Sequence, residues 1–143
     1  TYIVGKGEEY SSLTKQIADN GLQDHWTFVG FKSNPYKYVK NADLYVCSSR
    51  REGFSTAVTE SLIVGTPVVS TNCSGAYELL GDNNEYGIVT QNNEDALYEG
   101  VKQMLTGDNL ANYKQKAKER GEKFNTQATV DCVETMFKEM VNV

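Results

Sequence analysis

Apolar and polar positions change period repeatedly along this chain, and the changes mark its elements. Tyr2, Ile3 and Val4 form a short β-rich run ended by Gly5-Lys6-Gly7. Tyr10, Leu13 and Ile17 then fall at i, i+3 and i+7, one face of a helix, and Asn20-Gly21 is a fitting C-terminal stop. Trp26 to Val29 read as a second strand, closed by Gly30. Pro35 suits a first helical turn, so a short helix with Tyr36, Val39 and Lys40 is expected next. Leu44 to Cys47 make a third strand, apolar without alternation, as expected where both faces are covered. A helix containing Ser61-Leu62-Ile63-Val64 is broken by Gly65-Thr66-Pro67. Val68 and Val69 make a fourth strand that leads into the polar loop Ser70 to Gly75. Ala76 to Leu80 predict one or two helical turns, Gly81 to Asn84 a turn, and Tyr86 to Val89 a last strand.

Beyond residue 89 the period is helical only. Leu97, Val101, Met104 and Leu105 share one face; Leu110, Tyr113, Ala117 and Phe124 share a second. Val130, Val133, Phe137, Met140 and Val141 form a third. Strands separated by helices, then helices alone, predict an α/β domain with a mostly parallel sheet. Nothing in the chain reads as a repeat or a linker, so residues 1–143 are expected to form a single domain. Ligands of such sheets sit beyond the carboxyl ends of the strands.

Composition narrows the function classes. The net charge is −5 and no basic run appears, which argues against nucleic acid or a membrane surface as the main partner. The apolar runs are far too short to span a bilayer. Cys47, Cys73 and Cys132 are widely spaced, with no CxxC and a single histidine, His25, so no metal site is expected. Small buried hydrophobes in a reducing cytoplasm is the reading they support. The chain opens directly on strand residues Tyr2 to Val4, from which a piece of a longer protein is expected.

The chemistry centres on Ser48-Ser49-Arg50-Arg51-Glu52-Gly53-Phe54-Ser55-Thr56-Ala57-Val58-Thr59-Glu60, which joins the third strand to a helix. A strand running through a glycine loop into a helix leaves backbone N–H groups free at the helix N-terminus, a ready anion site. Gly53 allows close approach of a ligand, and the amides of Ser55 to Val58 are candidate donors to a diphosphate. Glu60 repels phosphate but can accept hydrogen bonds from a vicinal diol such as a ribose. Glu52 can do the same for a sugar or stabilise developing positive charge. Diphosphate between two polyols outlines a nucleotide-sugar. The residues alone fit equally well a solvated loop glutamate and a surface helix glutamate.

Further matches accumulate along the chain. Phe28-Val29-Gly30-Phe31, Asn34-Pro35-Tyr36, Ala42-Asp43, Ser48-Ser49 and Glu52-Gly53-Phe54 resemble, in that order, the donor-binding half of bacterial family 4 (group 1) glycosyltransferases. Glu52 and Glu60, with seven residues between them, match that family's E-x(7)-E signature; Gly65 to Val69 and Gly75 to Leu80 match the segments after it. The nearest likeness is to enzymes of capsular and other surface polysaccharides. The resemblance implies the C-terminal, Rossmann-like half of a GT-B fold and a retaining hexosyl transfer without a metal or other cofactor. The donor would be a UDP- or GDP-linked sugar. It implies that Glu52 is catalytic and hydrogen-bonds the donor sugar, and that Gly53, Phe54 and Ser55 meet the sugar. Thr56, Ala57 and Val58 would meet the diphosphate and Glu60 the ribose, with Phe31, Lys32, Ser33 and Asn34 near the nucleobase.

Two departures stand out. Many members have glycine where this chain has Ser55. Members also precede the Tyr2–Val4 strand with a strand and helix carrying an arginine and a lysine for the diphosphate, and with an N-terminal acceptor domain. The resemblance therefore implies a cytoplasmic fragment, inactive alone, with any membrane contact made through that N-terminal domain. A sheet lacking a middle strand is expected to have a gap or altered pairing, with self-association through strand edges. Arg50 and Arg51 read as solvated surface residues. The rival readings are a GT-B nucleotide-sugar epimerase, which would need acid–base residues beyond one histidine, and a non-enzymatic nucleotide-binding module.

Overall fold

Val68 and Val69 are neighbours in the chain, yet they serve two different cores on opposite faces of one sheet. That alternation is what a strand's period of two requires when both faces are covered. In the computed structural model, which describes residues 1–124 and 126–141, the chain divides into two compact units, residues 1–35 and 36–143.

The first unit contains β1 (Tyr2–Val4), α1 (Tyr10–Asp19) and β2 (Thr27–Gly30). Its two strands pair in parallel, with Tyr2 opposite Thr27 and Ile3 opposite Phe28. On the apolar face of α1, Tyr10 meets Phe28 edge-on with ring centres 4.9 Å apart. No side chain of this unit is fully buried.

The second unit begins with α2 (Tyr36–Lys40), β3 (Tyr45–Cys47), α3 (Thr56–Ile63), β4 (Val68–Thr71), α4 (Ala76–Leu80) and β5 (Ile88–Thr90). Three helices follow: α5 (Glu94–Met104), α6 (Asn109–Gly121) and α7 (Thr126–Val141). The strands form a parallel sheet in the order β3-β4-β5, with Tyr45 opposite Val68 and Val69 opposite Ile88. The strands thus form two separately bonded sheets, β1-β2 and β3-β4-β5, where an interrupted or altered sheet was expected.

On one face of the second sheet Val58 and Leu62 of α3, Leu79 and Leu80 of α4 and Ala117 of α6 pack with Val68 and Val89. On the other, Met104, Leu97 and Val101 of the α5 segment pack with Val69 and Ile88, joined by Leu110 and Tyr113 of α6. Helix α6 therefore serves both cores.

The sequence located most elements, and the structure differs from that reading at four points. Strand β3 lies at an edge, so Val46 is 41% exposed; the two-sided burial read into Leu44–Cys47 belongs to the central strand β4. Strand β5 starts two residues later than Tyr86, because the Asn84 side chain accepts from the Val89 amide and keeps the preceding residues in a turn. Leu105 lies just past the end of α5 and is exposed. Of the apolar face read into α7, Val130 and Phe137 are exposed, while the side chains of Val133, Met140 and Val141 lie outside the described residues.

Helix α3, which carries the candidate chemistry, is fixed at its far end by a Schellman motif. The Gly65 amide donates to Leu62 O at 2.9 Å and the Thr66 amide to Ser61 O at 2.9 Å. Gly65 takes φ +79°, a left-handed conformation that a Cβ would strain. The Thr66 hydroxyl donates to Val39 O at 2.8 Å, which ties α2 to the same corner. Arg120 of α6 donates to the carbonyls of Leu79, at 3.0 Å, and Glu78, satisfying the end of α4, and lies 5.1 Å from the rings of Tyr86 and Phe124.

A Cβ on Gly121 would lie 2.3 Å from Leu62 O, so α6 touches the backbone of α3 directly. Gly121→Ala should therefore destabilise the fold by about 1–3 kcal/mol through forced separation of these helices. Urea unfolding compared with wild type measures it; an unchanged midpoint would show that α6 is not held against α3 in this way.

Candidate functional site

The loop between β3 and α3 is held from below by donors at the carboxyl ends of the neighbouring strands. Ser49 O accepts from the Thr71 hydroxyl at 2.5 Å and from the Cys73 thiol at 2.8 Å. The Asn92 side chain, from the turn after β5, donates to Arg50 O at 2.9 Å. Parallel strands put all these ends on one edge of the sheet, which is why residues so distant in sequence meet there.

Glu52 sits on this fixed segment, half-buried, and its Oε1 accepts from the Ser49 hydroxyl at 2.6 Å. The Cys47 thiol lies 3.7 Å from that hydroxyl and donates to it. One carboxylate oxygen of Glu52 is thereby held, and Oε2 keeps its acceptor capacity.

Ser55 begins α3 as its N-cap, with extended backbone (φ −77°, ψ 98°). Its hydroxyl accepts from the Val58 amide at 3.5 Å. Serine in place of glycine thus closes the helix by itself, and Val58, buried, turns its amide to the cap. Among the described residues the amides of Thr56 and Ala57 have no protein acceptor. They are the open donors of the helix start.

Gly53 is exposed and lacks a structural reason to be glycine: a Cβ there would meet no atom within 4 Å, and its φ is not left-handed. Gly75 differs. Its φ is +79°, and a Cβ would come 3.4 Å from Gly53 O and 3.5 Å from the Phe54 ring, so the loop after β4 supports the loop after β3. Phe54 itself is 54% exposed.

One helical turn on, Glu60 is half-buried, and its Oε1 accepts from the Tyr36 hydroxyl at 3.2 Å. Tyr45, on β3, is within electrostatic reach of both acids. Burial first, then the charges of Cys47, Glu52 and Glu60, push its phenol up to about 12. The two glutamates therefore flank one short stretch of sheet edge and helix start.

Phe31, Lys32, Ser33 and Asn34 belong to the first unit, where all four are exposed and the Lys6 ammonium lies 6.0 Å from the Phe31 ring centre. Arg50 and Arg51 are exposed, and neither guanidinium bonds to a described residue.

Residues 1–124 match the profile of the family described as glycosyl transferases group 1. The chain belongs to that family. A relative from Campylobacter jejuni, N-acetylgalactosamine-N,N'-diacetylbacillosaminyl-diphospho-undecaprenol 4-alpha-N-acetylgalactosaminyltransferase, is 38% identical over 126 residues, 86% of this chain and 34% of its own length. The poly(glycerol-phosphate) alpha-glucosyltransferase of Bacillus subtilis is 25% identical over 143 residues, 99% of this chain and 21% of its own. The present chain thus spans about a third or less of the length of these relatives. HepE of Anabaena, solved in complex with UDP, superposes with a TM-score of 0.81 at 23% identity, over 96% of this chain and 40% of its own. The fold is the α/β, Rossmann-like C-terminal half of a GT-B glycosyltransferase.

The E-x(7)-E spacing singled out Glu52 and Glu60, whose surroundings are those described above. The side chains that fix them or their loop were missed: Ser49, Thr71, Cys73, Asn92 and Tyr36. Ser49 and Tyr36 stood inside quoted motifs, and that was their only signal. Thr71, Cys73 and Asn92 reach the loop only through strand order, which the linear sequence does not display.

Thr71→Val keeps the shape at a buried position but removes the donor to Ser49 O. It should cost about 1–2 kcal/mol in chemical denaturation, and no loss would show that the thiol of Cys73 suffices. Tyr45 gives a pH signature. An unfolded tyrosine ionises near 10.0 and the folded one near 12, so stability should hold below pH 10 and fall as pH rises from there toward 12. Tyr45→Phe should flatten that fall in a series of unfolding curves; an equal slope in both proteins would contradict it.

Proposed function

We propose that this chain holds the nucleotide-sugar donor for a retaining hexosyl transfer in bacterial surface polysaccharide synthesis. The observation that carries this reading is the pair of half-held carboxylates, Glu52 and Glu60, bracketing a helix start with two unpartnered amides. Diphosphate oxygens would accept from the amides of Thr56 and Ala57, aided by the dipole of α3. Val58 would contribute packing rather than a hydrogen bond, its amide being capped. Glu52 Oε2 would accept from hydroxyls of the donor sugar and Glu60 from the ribose diol. Gly53 would let the sugar approach the backbone, which explains a glycine the fold itself does not require.

The relatives support the substrate class. HepE was solved with UDP, and the pneumococcal O-GlcNAc transferase GtfA, with the same fold (TM-score 0.81), was solved with UDP and GlcNAc. Other relatives, from Rhizobium meliloti and Erwinia amylovora, are named for lipopolysaccharide core and amylovoran biosynthesis. A UDP-linked hexose or N-acetylhexosamine is thus the first donor to test, with GDP-linked sugars next. Transfer itself would draw on donor placement against an acceptor, with charge on the leaving diphosphate stabilised by the fixed amides.

Calorimetric titration with UDP, GDP and their sugar conjugates tests the assignment. Glu60→Ala should weaken both nucleoside diphosphates and nucleotide-sugars by about tenfold or more, the loss of a hydrogen bond to a charged group. Glu52→Gln and Gly53→Ala should weaken the nucleotide-sugar alone and leave the melting temperature unchanged. If all three variants bind every ligand as wild type does, the site is elsewhere.

A further inference from the structure

From the bond between Tyr36 and Glu60 we infer that Tyr36 is a positioning residue of the donor site, orienting the ribose-binding carboxylate so that one oxygen stays open to the ligand. This inference rests on the role proposed above for Glu60 and adds a residue to it. The Tyr36 hydroxyl donates to Glu60 Oε1 at 3.2 Å across 24 positions of sequence. Tyr36 is the first residue of α2 and is 44% exposed, so burial does not account for its placement. What fixes its helix is a contact from buried Thr66, a residue 2% exposed, whose hydroxyl donates to Val39 O at 2.8 Å. Thr66 also completes the Schellman end of α3. One corner therefore fixes both the helix that carries Tyr36 and the helix that carries Glu60.

The chemistry suits a diol. A free glutamate side chain samples several rotamers, and ordering it on binding opposes affinity. A neutral hydroxyl on Oε1 restricts the carboxylate beforehand and leaves Oε2, plus a second lone pair on Oε1, for the two ribose hydroxyls. A lysine or arginine in place of Tyr36 would compete for both oxygens and bring positive charge to the ribose instead of the diphosphate. The negative charge of Glu60 and its hydrogen bond raise the Tyr36 phenol above its ordinary value, so the phenol remains a donor throughout neutral and mildly alkaline pH.

Calorimetry on wild type, Tyr36→Phe, Glu60→Ala and the double variant, with UDP and with 2′,3′-dideoxy-UDP, tests this. Tyr36→Phe keeps the ring and should weaken UDP by roughly three- to tenfold, part of the rotamer entropy that a freed glutamate side chain would lose on binding. The double variant should be no weaker than Glu60→Ala alone, because Tyr36 acts through Glu60. With the dideoxy ligand all four proteins should bind alike, a result that a general structural role for Tyr36 would not give. The inference is overturned if Tyr36→Phe binds UDP as wild type does, or more tightly, while Glu60→Ala binds it more weakly. It is overturned also if the Tyr36→Phe loss persists with the dideoxy ligand. If Glu60→Ala leaves UDP binding unchanged, the ribose assignment of Glu60 fails, and Tyr36 has nothing to position.

Discussion

The arrangement depends first on the carbonyl of Ser49. A loop leaving the edge of a parallel sheet has no ladder partner for its peptide groups, and a poorly solvated carbonyl must find donors elsewhere. Here it finds two, the Thr71 hydroxyl and the Cys73 thiol, both from the end of the neighbouring strand. Asn92 repeats the device at the next carbonyl, Arg50. With the backbone fixed at 49 and 50, the Ser49 hydroxyl has a defined direction, and Glu52 is held by it. Without those donors the glutamate would ride on a free loop.

Helix α3 carries the second half of the site and is fixed independently. Its start is closed by the side chain of Ser55, its end by Gly65 and Thr66, and its flank by the bare backbone of Gly121. Each device acts on backbone and not on side-chain bulk, so the axis of α3 is set to within small displacements. Position 60 then follows from position 55 by helix geometry alone. The spacing of the two glutamates thus has a physical meaning. Seven intervening residues place one acid on the sheet edge and the other a turn inside the helix, on either side of the open amides.

Much of this was legible because it is local. Periodicity located the helices, the short β-rich runs located the strands, and an ordered set of motifs named the family. Ser55 as a helix start and Gly65 as a helix stop follow from side-chain and backbone chemistry within a few residues. What was not legible depends on strand order. Leu44 to Cys47 look like a buried central strand, yet β3 lies at an edge and Val46 is exposed, while Val68 and Val69 occupy the centre. The same step hides Thr71, Cys73 and Asn92. Cysteine chemistry was also underread: Cys73 is buried as a small hydrophobe would be, but it spends its S–H on the loop that carries Glu52.

The electrostatics give the site its character. Neither Glu52 nor Glu60 forms an ion pair among the described residues; each is held at one oxygen by a neutral hydroxyl. An arginine partner would occupy a carboxylate bidentately and exhaust the acceptors that face a ligand. A hydroxyl fixes direction and leaves the rest free. The attraction for an anion then rests on the amides and dipole at the start of α3, whose reach is short. Carboxylates on both sides oppose any anion not seated at that helix start. A diphosphate flanked by hydroxyl-bearing groups would meet both conditions at once, with its charge on the amides and its hydroxyls toward the acids. A bare phosphate would meet only the first, so a site of the proposed kind would favour a nucleotide-sugar over simple anions.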